Sequence, residues 1–187
     1  MGTLKAQFSH GDPEQRRRAI EQASASGTPE AVSWLAELAG SGEETASAAG
    51  AALGRVTNPR AAPRLGEIVR SDASTLARAN AARALGAAGT QRDLEALGAT
   101  LSDGSAQLRV RQEAALAAAR VGGPASVSHL SRALEEARSP MDEQLRIALI
   151  QSLGSVKSDA ARASLERHRA REVSANERAF LDKALGP

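Results

Sequence analysis

The ten residues Arg78-Ala79-Asn80-Ala81-Ala82-Arg83-Ala84-Leu85-Gly86-Ala87 read as an Ala/Leu helix ending on glycine, and that ending recurs along the chain at a nearly fixed distance. Leu53-Gly54 stands 32 residues before Leu85, and Ala118 stands 33 after it. Leu153-Gly154 follows after a further 35 and Leu185-Gly186 after another 32, while Ile20 precedes Leu53 by 33. A second set keeps step: Leu35, Leu65, Leu97, Leu130 and Leu165 each lie 12 to 15 residues after their anchor. A period of 32 to 35 residues held over 187 residues means stacked units, each too small to bury its own apolar face.

Helix-start chemistry supports the same division. Asp12-Pro13, Thr28-Pro29, Asn58-Pro59 and Ser139-Pro140 each place a capping side chain before proline. The cap accepts from an orphan helical N–H, and proline at the first helical position lacks an N–H that would go unused. Ser41…Glu44, Thr90…Asp93 and Ser174…Glu177 have the spacing of capping boxes or their acidic variants. The expected helix pairs are 13–25 with 29–39, 43–56 with 59–70, the stretch 72–103, 106–121 with 125–137, and 140–156 with 159–171. A lone helix, 175–185, follows. Pro63 falls near the fifth position of its helix, where it is expected to remove a backbone bond and tilt the helix start.

These residues resemble bacterial HEAT-like repeats of the phycobilisome-lyase type. The resemblance rests on an Arg seven residues before the Leu-Gly position (Arg78, Arg111, Arg146 and Arg178), on the Ala-x-Ala-Leu-Gly endings, and on Ala61-Ala62-Pro63-Arg64-Leu65 opening a second helix. It covers roughly residues 13–187; in the first two units Pro13 and Ala46 hold the Arg position. It implies an all-α, right-handed α-solenoid of about five stacked two-helix repeats with a C-terminal capping helix. The expected organisation is an N-terminal tail, 1–11, then a solenoid over 12–187 with units near 12–40, 41–71, 72–104, 105–138 and 139–172 and a capping helix, 174–187. Phe8 is the one large side chain of the tail, which is expected to be loose unless Phe8 caps the first unit.

Aromatics make up 2% of the residues (Phe8, Trp34 and Phe180), so the core must be built from Leu, Val, Ile and Ala. Without cysteine there is no disulfide, thiolate ligand or cysteine nucleophile. The formal charge is +2, with 11 basic and 10 acidic residues up to Asp93 and 13 and 12 beyond it, so neither half carries the field that concentrates DNA or anionic lipid. No apolar leader or span-length segment is present, and the chain is expected to be cytoplasmic.

Candidate chemistry is sparse. His10, His129 and His168 fall in separate units and are expected at the surface; two imidazoles without a carboxylate set make a poor metal site. Ser128 and His129 point about 100° apart on a helix and cannot act as nucleophile and base. No Gly-x-Ser-x-Gly, Walker loop or Gly-x-Gly-x-x-Gly occurs. The repeated arginines are read as a structural ladder bonding the preceding turn or an Asp such as Asp72 or Asp103, in preference to a basic ladder for an anionic partner. Arg16-Arg17-Arg18 points three ways and is read as an ion-paired, solvated face.

In this fold the second helices generally line the concave face. That places Trp34, Arg64 and His129 in one row and Glu37, Glu67, Arg132 and Arg167 in another, acidic first and basic later. Such a two-signed surface suits a protein or peptide partner better than nucleic acid or membrane. Trp34 is a candidate anchor, with a half-buried end-cap contact as its equal alternative. No cofactor is expected. The family implies two further classes, a bilin lyase-like enzyme and a HEAT-like DNA-repair protein. The first must hold a tetrapyrrole, against which few aromatics and no cysteine speak; the second resembles a basic cleft lined with Trp, Tyr and a carboxylate, against which one Trp, no Tyr and a near-neutral charge speak.

Overall fold

The computed structural model describes residues 1–42, 44–71, 74–171 and 173–186. Among them are twelve α-helices and no strand. Expectations resting on Glu43, Asp72 and Pro187 lie outside the described residues. The chain forms two compact units, Met1–Gly89 and Thr90–Pro187. The division falls between the two helices of the third sequence repeat and not at a repeat boundary.

Unit 1 contains α1 (Gly2–His10), α2 (Pro13–Ser26), α3 (Pro29–Gly40), α4 (Ala46–Leu53), α5 (Ala62–Arg70) and α6 (Thr75–Ala88). First helices α2, α4 and α6 pack in sequence, and second helices α3 and α5 pack beside them. Unit 2 contains α7 (Leu94–Ser102), α8 (Leu108–Val121), α9 (Gly123–Glu136), α10 (Glu143–Val156), α11 (Asp159–Arg169) and α12 (Ala175–Leu185). Here α8, α10 and α12 form the first-helix row and α7, α9 and α11 the second. Each unit is therefore a stack of helix pairs.

The anchors explain the stacking. Ile20, Leu53, Leu85, Ala118, Leu153 and Leu185 are all buried, as are Leu35, Leu65, Leu97, Leu130 and Leu165. Between them lie fully buried alanines such as Ala23, Ala49, Ala81 and Ala115, which let helices approach closely while favouring the helical state. Side-chain bonds from one repeat to the next span about one period. Asn58 Nδ2 donates to the Ser26 carbonyl at 3.1 Å, Arg64 Nε to Ser33 Oγ at 2.7 Å, and Gln91 Nε2 to the Gly122 carbonyl at 2.6 Å.

Three of the four ladder arginines tie their first helix to the end of the second helix before it, whereas Arg178 is exposed on α12 and makes no such bond among the described residues. Arg78 Nε donates to the Val69 carbonyl at 2.9 Å. Arg111 Nε and Nη2 reach the Leu101 carbonyl at 3.0 and 2.8 Å. Arg146 Nη1 reaches the carbonyls of Ala137 and Ser139 at 3.1 and 2.7 Å. The last carbonyls of a helix have no partner inside it, and a cation there also opposes the helix dipole.

Most helix starts follow local chemistry. Asp12 and Gln15 form a reciprocal capping box, as do Thr90 with Asp93 and Ser139 with Asp142. Gly27 ends α2 at φ 53°, a left-handed conformation that glycine adopts without a Cβ penalty.

Three local expectations are corrected. Ser41 terminates α3 and does not start α4, which begins only at Ala46. Pro63 stands in the first turn of α5 because a short 3-10 turn, Pro59–Ala61, absorbs the residues before it, so no internal helical bond is lost. Residues 1–11 are not a loose tail: they carry α1, whose Phe8 meets the Trp34 ring edge-on with centroids 5.4 Å apart. The guanidinium carbon of Arg16 lies over the Phe8 ring, 5.9 Å from its centroid.

Candidate functional site

In unit 1 the structure brings Glu37, Arg64 and Glu67 to one groove of about 430 Å³ between α3 and α5, with Ser33, Ser71 and Ser74 along it. Arg64 is held by two bonds, from Nε to Ser33 Oγ and from Nη1 to Glu67 Oε2, each 2.7 Å. Its side chain is 41% exposed and that of Glu67 is 57% exposed, so the pair is fixed yet accessible. Glu37 extends from α3 with Lys5 of α1 at 4.0 Å. Trp34 does not join them. It is 5% exposed, packed on α3 beneath Phe8, so of its two equal expectations the indole follows the end-cap contact, more fully buried than expected, and not the exposed anchor. A large apolar ring with an aromatic side chain in reach gains more by covering than by facing water.

In unit 2, Arg132 on α9 is exposed and pairs loosely with Glu136 at 3.9 Å, and Arg167 is exposed on α11. His129 is mostly covered. It packs against α7 at Gly98, where an added Cβ would fall 2.2 Å from its Nδ1, and its Nε2 lies 4.0 Å from Glu95.

His168 departs most from expectation: it is not a surface histidine but is 6% exposed, facing Glu177 at the start of α12. Arg146 Nε and Nη2 donate to Glu177 Oε1 at 2.9 and 2.6 Å, and His168 Nε2 lies 3.2 Å from Oε2. An ionised carboxylate only accepts, so Nε2 carries the proton of that bond. Burial pushes the Glu177 carboxyl up, but the hydrogen bonds and charges of Arg146 and His168 outweigh this and hold it below the usual carboxylate range. Ser174 caps α12 as expected, accepting from the Glu177 N–H at 3.1 Å. The Glu177 carboxylate, however, is drawn to Arg146 and does not close a capping box.

The sequence does carry a signal for this cluster. Glu177 stands 31 residues after Arg146, and Asp142, 3.9 Å from Arg111, stands 31 after it. In a stack, residues one period apart are neighbours, so an acid at that distance from a ladder arginine is a candidate partner.

The cluster floors a pocket of about 590 Å³ where α9 and α11 end and α10 and α12 begin, lined also by Leu134, Arg138, Glu143, Arg171, Val173 and Ser174. Among the described residues no three His, Asp or Glu side chains group closely enough to hold a metal ion. No described helix is long and apolar enough to cross a membrane.

Comparison with known proteins bears on the fold. A family model for HEAT repeats matches residues 2–85 and 63–144. No curated protein matches the sequence. Among solved structures, human deoxyhypusine hydroxylase in complex with glycerol is similar at 18% identity, over 98% of this chain and 95% of that one, with a TM-score of 0.42. Matched over most of its length and built from stacked, period-spaced helix pairs, the chain belongs to the HEAT-repeat family.

Proposed function

We propose that this chain is a cytoplasmic, non-enzymatic scaffold or regulatory adaptor that binds another protein through the exposed polar faces of its second helices. The proposal places it with the bacterial, phycobilisome-lyase-like branch of the repeats, on the Arg and Leu-Gly spacing. The observation that carries the reading is the α3–α5 groove. Arg64 is already ordered there by Ser33 and Glu67, so it presents an accessible charge of fixed position and loses little side-chain freedom on binding. The second helices of unit 2 carry exposed charged residues of their own, Arg132 and Arg167. Arg78, Arg111 and Arg146 support the reading from the other side: bonded to backbone carbonyls, they hold the stack together and are not a free basic row.

The test is affinity capture from soluble lysate of the host, with the wild type beside an Arg64→Glu, Arg132→Glu variant. Arg132 is exposed and Arg64 is half-buried on the helix surface, so the variant is expected to keep its helical circular dichroism. A partner that binds the wild type and rebinds it after purification, but not the variant, is the expected result. Equal binding to both would overturn the assignment to the second-helix faces.

A further inference from the structure

The pocket floored by Arg146, Glu177 and His168 has a chemistry of its own. Arg146 and Glu177 neutralise each other beneath it, and Glu143 accepts from Ser174 Oγ at 2.5 Å. Two cations at its rim, Arg138 and Arg171, meet no carboxylate among the described residues. Arg138 donates from Nε to the Glu135 carbonyl at 3.0 Å. Both arginine side chains are exposed. They stand 33 residues apart, just past the equivalent ends of α9 and α11, and both line this one pocket. Below them His168, 7% exposed in its side chain, has Nδ1 buried without a hydrogen-bond partner. Leu134, Pro140 and Val173 supply apolar wall.

We propose that this pocket binds an acidic side chain of a protein partner, an Asp or Glu carboxylate on its short apolar stem. Two adjacent guanidinium forks match a carboxylate in bidentate fashion. The apolar wall covers the methylenes, and Glu143 offers an acceptor to the partner's backbone N–H. The same Glu143, with Glu177 below, disfavours a second negative charge, which sets a carboxylate apart from a phosphate. The site lies at the helix ends, apart from the exposed second-helix faces, and it shares with the proposed function only the premise that the partner is a protein. Arg138 and Arg171 also stand at helix C-termini, where a cation offsets the dipole, so the experiment must separate recognition from stabilisation.

The probe is a fluorescein-labelled hexaglutamate peptide titrated with the full chain and read by anisotropy, alongside ¹H–¹³C spectra of the histidine rings, with the His168 signal assigned by His168→Gln. The expected result is saturable binding with a shift of the His168 signal. Affinity should fall about tenfold or more in Arg138→Gln, Arg171→Gln. It should change by less than about threefold in Arg109→Gln, Arg120→Gln, which removes the same charge from exposed positions on α8 of the same unit. No saturable binding, equal losses in the two variants, an unmoved His168 signal, or competition by inorganic phosphate as effective as that by unlabelled hexaglutamate would each overturn the proposal. Because the probe is a defined peptide, such a failure leaves the second-helix reading to be judged by the Arg64, Arg132 capture assay alone.

Discussion

Replacing Arg146 by Ala tests whether the last layer of unit 2 depends on its buried charges. The substitution removes two bonds to Glu177 Oε1, at 2.9 and 2.6 Å, and the bonds to the Ala137 and Ser139 carbonyls, at 3.1 and 2.7 Å. The Arg146 side chain is 13% exposed and that of Glu177 is 2% exposed, so the carboxylate left behind is neither hydrated nor, except by His168, paired. Stranding one member of a buried pair costs about 3–5 kcal/mol. The freed carbonyls lie at a helix end, where water entering the vacated space can serve them, so they add little. Arg132→Ala is the control: its pair with Glu136 is exposed on both sides and is worth about 0.2–1 kcal/mol. The assay is urea unfolding followed by far-ultraviolet circular dichroism, with amide hydrogen exchange in α10 and α12 to locate the loss. Arg146→Met with Glu177→Leu should recover most of the loss, because two packed apolar side chains need no counter-charge. A cost for Arg146→Ala no larger than that of Arg132→Ala would refute the reasoning, since Glu177 would then have to be solvated.

The same carboxylate sets an acid limit. Its folded pKa lies below its unfolded one, so its contribution is present above the unfolded pKa and lost as pH falls through the folded value. Wild-type stability should therefore fall on acidification below the ordinary carboxylate range, and Glu177→Gln, followed by the same urea titration, should be flatter there. Phe8→Ala removes the ring covering Trp34 and should cost about 0.5–1.5 kcal/mol beyond the lost area. As Trp34 is the one tryptophan, its emission should shift to the red; an unchanged spectrum would mean α1 does not rest on it. Gly98→Ala should destabilise, because the new Cβ meets the His129 ring at 2.2 Å. In a His129→Ala background the same change should stabilise by up to about 1 kcal/mol through helix propensity, and destabilisation in both backgrounds would refute the clash.

What was legible in the sequence was local or periodic. Helices α2, α3 and α12 start where Asp12, Thr28 and Ser174 predict, since a cap and the N–H it serves are three residues apart. The Leu anchors are all buried because a period shared by many positions leaves one consistent way to stack them. What was not legible depends on which side chain meets which across the stack. Hydropathy and spacing place Trp34 on the second-helix face, but only the fold of residues 1–11 puts Phe8 over it. His168 looks like one more polar residue of α11 until α12 brings Glu177 against it, and the acid three residues after Ser174 had a competing local use as half of a capping box.

The ladder bonds bear on where recognition can reside. A residue that recurs with the period is placed first by the contact those periods share, and for Arg78, Arg111 and Arg146 that contact is the carbonyl end of the preceding second helix. Turning such a guanidinium toward a ligand would strand those carbonyls, and for Arg146 a buried carboxylate as well. A partner must therefore be read by polar residues that the stack does not need. The groove pair Arg64 and Glu67 and the rim arginines Arg138 and Arg171 meet that condition, since Glu67, Arg138 and Arg171 are exposed and half-buried Arg64 still opens on the groove.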